Sequence, residues 1–251
     1  MAGIARSFFE IYANEYDFLT NAVEREKYHS KEIASLIKQF KPEKVLDAGC
    51  ASGLTSYLFA KEGIQTVGID RSRPMLKVAN DKYYQFSDKL TFKYANFEKI
   101  PKQMHGKFDL LVCLANSISG AGSLNNLIKS LKNFNHCLTN DGTLVLQLLN
   151  YYSIKDGEFL PIKATRNGNI YYQRFSERRG KRLFIYVNRL DVSKEPLDYE
   201  MFRHEFENFD QKEILHALKS AGFNTIKKYA DLYLKKPFTA SCRDLVIVAK
   251  K

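Results

Sequence analysis

The residue types that could do chemistry lie in two short segments, each with an aspartate at the end of an apolar run. Asp47 follows the first run, and Gly49 and Gly53 come next, before a helix-like segment begins. Asp70 ends the second run, 23 residues further on. Small residues let a backbone approach a ligand closely, and a carboxylate at the end of the second strand of an α/β unit can accept ribose hydroxyls. This pattern predicts a nucleoside site.

The position of Asp47 indicates which kind of nucleoside is bound. The segment is not the G-x-G-x-x-G pattern that cradles a pyrophosphate, and an acid directly before the glycines would repel a doubly negative group. The same carboxylate attracts a cofactor that carries an ammonium and a sulfonium. The alternative interpretation of Asp70 is an N-cap of the next helix, a role that Ser72 could also fill.

Alternating strand and helix signals must position these residues. Strands are predicted at 45–46, 65–69, 90–94, 108–114 and 143–149, and helices at 22–40, 54–62, 74–86 and around 124–131. The strands are apolar throughout rather than half polar, which is typical of a parallel sheet covered on both sides. We therefore expect an α/β fold with a doubly wound, mostly parallel seven-stranded sheet and helices on both faces.

The pattern changes after the fifth strand. Segments 169–176 and 182–191 predict an antiparallel hairpin, with 199–207 as a possible third strand, and helix 210–221 and strands 223–230 and 243–250 follow. We expect an antiparallel cap or substrate insertion at 151–207. The Rossmann-like core then consists of 41–150 and 208–251, preceded by an N-terminal helical segment at 1–40.

Composition limits the other possibilities. No apolar run approaches the roughly 18–20 residues of a membrane span, and the first residues lack the apolar core of a signal peptide, so we expect a cytoplasmic protein without a membrane partner. The cysteines are scattered and the histidines form no H-E-x-x-H motif, which predicts reduced, packed thiols and no metal site. The net charge of +11 fits either a lysine-rich solvated surface or a nucleic-acid partner.

Five segments together resemble a known family. They are VLDAGCASG at 45–53, VGIDRSRPML at 67–76, ANFEKIP at 95–101, FDLLVCLANSISG at 108–120 and LLNYYSI at 148–154. These segments resemble the class I (Rossmann-like) S-adenosylmethionine-dependent methyltransferases, and most closely the glycine/sarcosine N-methyltransferase-like branch. The resemblance implies S-adenosyl-L-methionine as cofactor and S-adenosyl-L-homocysteine as product, with Tyr12 and Tyr16 in a segment that closes over the cofactor.

The resemblance also implies the site residues. Cofactor contacts are expected from Tyr16, Asp47, Gly49, Cys50, Ala51, Gly53, Asp70, Arg71, Met75, Asn96, Phe97 and Leu114, and acceptor contacts from Asn116, Asn150, Tyr151, Tyr172 and Arg174. Two positions depart from the family pattern. Ala51 replaces a glycine and should be tolerated if its φ is negative, and Asn96 replaces an aspartate but can still accept from an adenine amine.

The expected activity is transfer of a methyl group to a small-molecule acceptor, with an amine nitrogen as the expected atom, by direct displacement. Such a reaction needs alignment more than a strong base, and no catalytic residue is assigned. Arg174 could pair with an acceptor carboxylate or lie on a solvated strand face, Asn150 and Tyr151 could serve only a turn, and His204 is interpreted as a surface or interface residue. The alternatives are an RNA or protein methyltransferase that uses the basic surface, and a non-catalytic nucleoside-binding module. The oligomeric state is not indicated.

Overall fold

The computed structural model describes residues 7–151 and 154–251, and within these ranges the strands form two sheets. The larger sheet contains β1 (Lys44–Ala48), β2 (Gln65–Asp70), β3 (Leu90–Tyr94), β4 (Phe108–Cys113), β5 (Leu138–Leu149), β10 (Thr225–Tyr229) and β11 (Asp244–Lys250). Their order is β10-β11-β5-β4-β1-β2-β3. Strand β11 is antiparallel to both neighbours and the remaining pairs are parallel, which confirms the predicted fold class.

Helices cover both faces of this sheet. Successive residues of a strand point to opposite faces, and here both sets of side chains are apolar. The helices are, in chain order, α1 (Phe8–Ile11), α2 (Tyr16–Thr20), α3 (Ala22–Phe40), α4 (Leu54–Lys61), α5 (Arg73–Tyr83), α6 (Leu124–Cys137) and α7 (Gln211–Ser220). Val45 lies in one core with Ile33 of α3, and the next residue, Leu46, lies in the opposite core with Leu218 of α7. Burial on both faces gives the strands their continuous apolar character.

The strand order reverses at β1, and this reversal creates the crevice for a ligand. From β1 the chain continues to β2 and β3 on one side, whereas β4 and β5 lie on the other side. The connections after β1 and β4 lead to α4 and α6, which lie on opposite faces of the sheet, and ligands bind in such sheets at this point. Asp47 pairs in register with Gly68 of β2, so Asp47 and Asp70 lie at the same edge of the sheet.

The smaller sheet, called here the cap sheet, is antiparallel. It consists of β6 (Phe159–Asn167), β7 (Ile170–Arg179), β8 (Arg182–Asp191) and β9 (Asp198–Glu207), in that order. The predicted hairpin and third strand are confirmed, but strand β6 was not predicted. Pro161 interrupts its pattern, and the register shifts between Pro161 and Lys163. Proline is tolerated at such an irregular edge position, and the mostly exposed strand lacks an apolar alternation.

The cap sheet has an inner and an outer face. The inner face, which includes Tyr172 and Val187, packs against Phe8 and Leu19 of residues 7–21, called here the N-terminal segment. The outer face, which includes Tyr171 and Tyr199, points away from that segment. An aromatic core thus joins the beginning of the chain to an insertion that follows about 150 residues later.

The predicted division of the chain is compatible with these elements but stays a prediction. Residues 1–6 of the expected N-terminal segment and residues 152–153 of the expected insertion, which also belong to the LLNYYSI motif, lie outside the described residues. Within the described ranges no helix is both long enough and apolar enough to cross a membrane.

Candidate cofactor and acceptor site

The loop after β1 turns sharply at Gly49, and only glycine fits there. Its φ is +85°, and a Cβ at this position would lie 2.7 Å from the Cβ of Ser117 and 3.3 Å from Cζ of Phe97. The amides of Gly49 and Cys50 both donate to the carbonyl of Ile69, at 2.8 and 3.1 Å. The loops after β1, β3 and β4 therefore meet at Gly49, as the motifs predicted.

Ala51 adopts a positive φ of 47°, so the condition under which its methyl group would be tolerated without strain is not met. Its amide donates to Oδ2 of Asp70 at 3.0 Å, and Gly53 N donates to the carbonyl of Cys50 at 2.9 Å. These bonds hold the tight turn although a left-handed conformation costs a residue with a Cβ roughly 1–2 kcal/mol. A single-residue pattern could not reveal the bond to Asp70.

Asp70 connects two loops and does not cap the following helix. Its Oδ1 accepts from the amide of Ser72 at 2.8 Å, while its Oδ2 accepts from Ala51. Ser72 is the N-cap of α5, since its hydroxyl accepts from the amide of Met75. Each carboxylate oxygen can accept more than one hydrogen bond, so Asp70 retains capacity for the two hydroxyls of a ribose.

Asp47 is a buried carboxyl group that needs a cation. It is 2% exposed and accepts from the hydroxyl of Ser56 at 2.6 Å. Burial raises the pKa of Asp47 to about 7, and the charge of Asp70 adds to this effect while Ser56 and Arg25 oppose it. In the described part of the chain Asp47 forms no ion pair. A ligand ammonium would favour the ionised form and lower its pKa.

The remaining cofactor candidates surround this loop or lie beneath it. Phe97 is half-buried, with its ring 5.3 Å from that of Phe134, and Asn96 is exposed beside it. Arg71 is exposed and reaches across the crevice, with Nη2 3.9 Å from a Cβ placed on Gly120. Met75, Leu114 and Cys50 are buried, and burial raises the pKa of the Cys50 thiol. Tyr16 lies in the N-terminal segment with the Arg25 guanidinium 5.9 Å from its ring centre.

Three of the five acceptor candidates use their side chains within the protein. The amide oxygen of Asn116 accepts from the hydroxyl of Ser119 at 3.0 Å and from the amide of Leu149 at 3.3 Å. The side-chain nitrogen of Asn150 donates to the carbonyls of Ala240 and Cys242, both at 2.8 Å. The hydroxyl of Tyr172 donates to Glu15 at 2.6 Å. These bonds give all three residues a structural role.

Arg174 and Tyr151 remain as candidates for contact with an acceptor. Arg174 lies on the inner face of the cap sheet, and within the described ranges its buried Nε has no hydrogen-bond partner. Burial lowers the pKa of Arg174, and the charge of Arg25 acts in the same direction. Tyr151 is 7% exposed, and burial raises the pKa of its phenol. A half-buried guanidinium whose buried Nε has no partner within the described ranges is suited to an anion.

His204 is neither a surface residue nor part of a solvated strand face. It is half-buried between the cap sheet and the N-terminal segment, with its ring 4.6 Å from that of Phe9. Burial lowers the pKa of His204 to about 4, so the imidazole is neutral at physiological pH. Of the two interpretations, a surface or an interface residue, this half-buried position does not fit an exposed surface histidine and leaves the interface interpretation open.

The strongest contact of the N-terminal segment was not predicted from the sequence. Arg189, which is 5% exposed, donates from Nε and Nη2 to the two carboxylate oxygens of Glu15, at 2.9 and 3.0 Å. Tyr172 donates to the same carboxylate, and the hydroxyl of Tyr12 donates to Glu200. Glu15 and Arg189 are 174 residues apart, so no local pattern relates them.

A second contact joins the N-terminal segment to the cofactor loop. The hydroxyl of Ser52 donates to Oδ1 of Asp17 at 2.7 Å, and Nζ of Lys82 on α5 donates to Oδ2 at 2.6 Å. The N-terminal segment is therefore bonded both to the cap sheet and to the loop after β1. Among the described residues, no group of three or more histidine, cysteine, aspartate or glutamate side chains could hold a metal ion.

Comparisons with known proteins agree with this geometry. A family described as "Methyltransferase domain" matches residues 22–228, more than four fifths of the chain. The glycine/sarcosine/dimethylglycine N-methyltransferase of Actinopolyspora halophila is 26% identical over 243 residues, which cover 88% of this chain and 40% of that protein. Human glycine N-methyltransferase is 29% identical over 154 residues, covering 56% and 51%. The chain thus spans only about half the length of these relatives.

A solved structure supports the fold independently. The S-adenosylmethionine-dependent methyltransferase from Clostridium acetobutylicum ATCC 824 superposes with a TM-score of 0.78 at 19% identity, over 95% of this chain and 97% of that chain. A likeness at this identity concerns the fold, and it adds to the family match over most of the chain. The chain belongs to the methyltransferase domain family, as a member of its class I, S-adenosylmethionine-dependent type.

Proposed function

We propose that the protein transfers a methyl group from S-adenosylmethionine to the amine nitrogen of a small molecule that also carries a carboxylate. The observation that carries this proposal is the buried Nε of Arg174, which has no hydrogen-bond partner within the described ranges, on the inner face of the cap sheet. Tyr151 directly follows the loop end of β5 and lies within electrostatic range of Arg174. The named activity of the glycine-methylating relatives is of the same kind.

The residues present fit the cofactor. Asp47 is a buried carboxyl group with a raised pKa and no ion pair in the described chain, which suits the ammonium of the methionine part. Asp70 has lone pairs left for the ribose hydroxyls, and Asn96 and Phe97 are the candidates for the adenine. When bound, S-adenosylmethionine supplies a methyl group on a positively charged sulfur, which is already an activated leaving group.

The contribution of the chain to the reaction is orientation and exclusion of water. Arg174 would hold the acceptor carboxylate with two parallel N–H bonds, and Tyr151 would contact the acceptor beside it. The N-terminal segment and the cap sheet would cover the crevice, since Asp17 reaches the loop after β1 and Glu15 reaches the cap sheet. Tyr151 stays a neutral phenol because burial raises its pKa, so it is not a base at neutral pH.

The test is methyl transfer to paired small amines that differ only in a carboxylate. The wild type should prefer the acceptors that carry a carboxylate. Arg174→Lys should raise KM for these acceptors at least about tenfold, because a charged hydrogen bond contributes about 1.5–3 kcal/mol and lysine cannot form the bidentate pair. Arg166→Lys is the matched control, since Arg166 is an exposed arginine of the same sheet and should leave KM unchanged. Equal loss in both variants would contradict the role of Arg174.

A second candidate is methylation of RNA, which the net charge of +11 favours. Binding to single-stranded RNA releases counterions, so affinity should fall with a log–log slope of about −0.7 per phosphate contact as salt rises. Activity on small amines that hardly changes with salt supports the proposal. Salt-sensitive RNA binding that yields methylated nucleotides would replace the proposal with this candidate.

A further inference from the structure

The outer face of the cap sheet exposes large apolar side chains. Phe159, Tyr171, Tyr199 and Met201 are 53%, 37%, 58% and 60% exposed. Tyr199 and Met201 alternate along the edge strand β9 with half-buried residues that point inward. An antiparallel sheet with one solvated face normally places polar residues outward. Here the described chain leaves Tyr171, Tyr199 and Met201 uncovered toward one end of the face and Phe159 toward the other, and exposed apolar surface of this kind marks interaction sites.

The charges on this face are nearly balanced, in contrast to the rest of the protein. The outward positions carry four arginines and three glutamates: Arg166, Arg179, Arg182, Arg203, Glu177, Glu205 and Glu207. Two of the arginines lie over the ring of Phe184, and Arg182 pairs with Glu205. A chain with a net charge of +11 would repel a copy of itself across most of its surface. On the outer face the four arginines and three glutamates leave a small net charge, so two such faces repel each other little.

The size of the face matches one half of a stable interface. Its four strands contain nine or ten residues each. With strands about 4.8 Å apart and about 3.3 Å per residue, the face measures roughly 600 Å² before the relief of the side chains is added. A standard interface buries about 800 Å² on each partner. A flat face of this area can pack against the same face of a second copy of the chain.

We propose that the outer face of the cap sheet is a homodimer interface, in which two copies of this chain pack sheet against sheet. A twofold contact places the same apolar side chains on both sides. Arginines at the rim of one copy can then pair with glutamates of the other copy. Packed sheets lie about 10 Å apart with their strands crossing at a small angle. The inner face of the same sheet carries Arg174 and Arg189. The partner would therefore contact the cap sheet on the face opposite to these residues.

The test is the mass of the full chain in solution, measured by analytical ultracentrifugation over a range of concentrations. The wild type should sediment as a dimer of the 29.0 kDa chain. A Tyr199→Asp, Met201→Asp double variant should raise the dimer dissociation constant by about 100-fold or more, because each copy would bury two charges against the other. The matched control is Tyr84→Asp, since Tyr84 is 66% exposed but lies after α5, away from the cap sheet, and this variant should stay dimeric.

Circular dichroism and cofactor binding show whether the variants are folded. If the double aspartate variant is unfolded, Tyr199→Ser, Met201→Ser provides a milder version that should weaken the dimer in the same direction. A wild type that stays monomeric at every concentration would overturn the proposal, and so would a dimer that tolerates the outer-face substitutions or is disrupted equally by Tyr84→Asp. A monomer that gains mass only with added single-stranded RNA would assign the face to nucleic acid and overturn it as well.

Discussion

Two acids, the buried Asp47 and the half-buried Glu15, illustrate how the two halves of the site differ. Asp47 lies near the end of β1, where its only side-chain donor in the described chain is the hydroxyl of Ser56. Glu15 lies in the N-terminal segment and accepts two bonds from Arg189 and one from Tyr172. The first acid has no cation of its own, whereas the second is fully paired within the protein. Asp47 thus keeps its capacity for a charged ligand. Glu15 is instead bonded within the N-terminal segment and the cap sheet, which together are called here the roof.

This difference determines what each half contributes to stability. A buried charge without a partner destabilises the ligand-free protein, while a buried, bidentate pair is stable as long as both partners are present. Substitutions in the roof should therefore lower the free energy of unfolding. Substitutions at the cofactor loop should mainly lower cofactor affinity. Three experiments test this difference between the two halves.

The largest effect is expected from Arg189→Met. Removal of this buried guanidinium leaves the half-buried Glu15 without its cation, which should lower the free energy of unfolding by about 3–5 kcal/mol, measured by urea denaturation. A Glu15→Gln, Arg189→Met double variant should recover part of this loss, because the uncompensated charge is gone. If the single and double variants were equally destabilised, the pair would not hold the roof and the contrast would fail.

The second effect concerns Gly49→Ala, with Gly63→Ala as the matched control. Both glycines have nearly the same positive φ, 85° and 83°, but a Cβ at position 63 meets no atom within 4 Å. Each substitution should cost roughly 1–2 kcal/mol of backbone strain. Gly49→Ala also pushes the Ser117 turn away and should weaken S-adenosylhomocysteine binding by a further factor of about ten or more, measured by calorimetry. Equal cofactor affinity in both variants would show that the turn tolerates the displacement.

The third effect is the pH dependence of Asp47→Asn. The pKa of Asp47 is raised to about 7, so its stabilising contribution is present in the protonated form at low pH and is lost as the pH rises through 7. The free energy of unfolding of Asp47→Asn relative to the wild type should therefore increase by about 2–3 kcal/mol between pH 5 and pH 8, without cofactor. The exposed Asp81→Asn should show no such change.

Cofactor affinity provides the complementary measurement on the same variant. Asp47→Asn should bind S-adenosylhomocysteine about 10- to 100-fold more weakly at pH 8, because a charged hydrogen bond is replaced by a neutral one. The wild-type affinity should decline as the pH falls below 7, and the affinity of the variant should not. A variant that is less stable than the wild type at pH 8, or one that binds equally well, would contradict the role of Asp47.

The parts of the molecule that could be predicted from the sequence are those whose causes are local. Asp47, Gly49 and Asp70 follow apolar runs within one βαβ unit, and the fold brings them together as expected. The conformation of Ala51 could not be predicted, because it depends on a bond to a side chain 19 residues later. Strand β6 was missed because Pro161 breaks its pattern at an edge, where no buried face imposes an alternation.

The roof was difficult to predict for a different reason. The inner face of the cap sheet mixes Arg174, Arg189 and His204 with apolar residues, so its strands do not resemble strands that cover a core. In the sequence alone Arg189 resembles a solvated arginine, because its partner Glu15 lies 174 residues earlier in the chain. Likewise, the structural role of Asn150 could not be predicted, because the two carbonyls that accept from its amide lie about 90 residues later in the chain.

The contact between Asp17 and Ser52 should affect the rate of cofactor exchange rather than the affinity for the cofactor. Asp17 connects the N-terminal segment to the cofactor loop and, through Lys82, to α5. If the cofactor binds between Asp47 and Asp70 as proposed, this contact should open before the cofactor leaves, and a closed contact would slow its arrival and departure together. The residence time of the spent cofactor would then be governed by the opening of the segment, and the first turnover would be faster than those that follow.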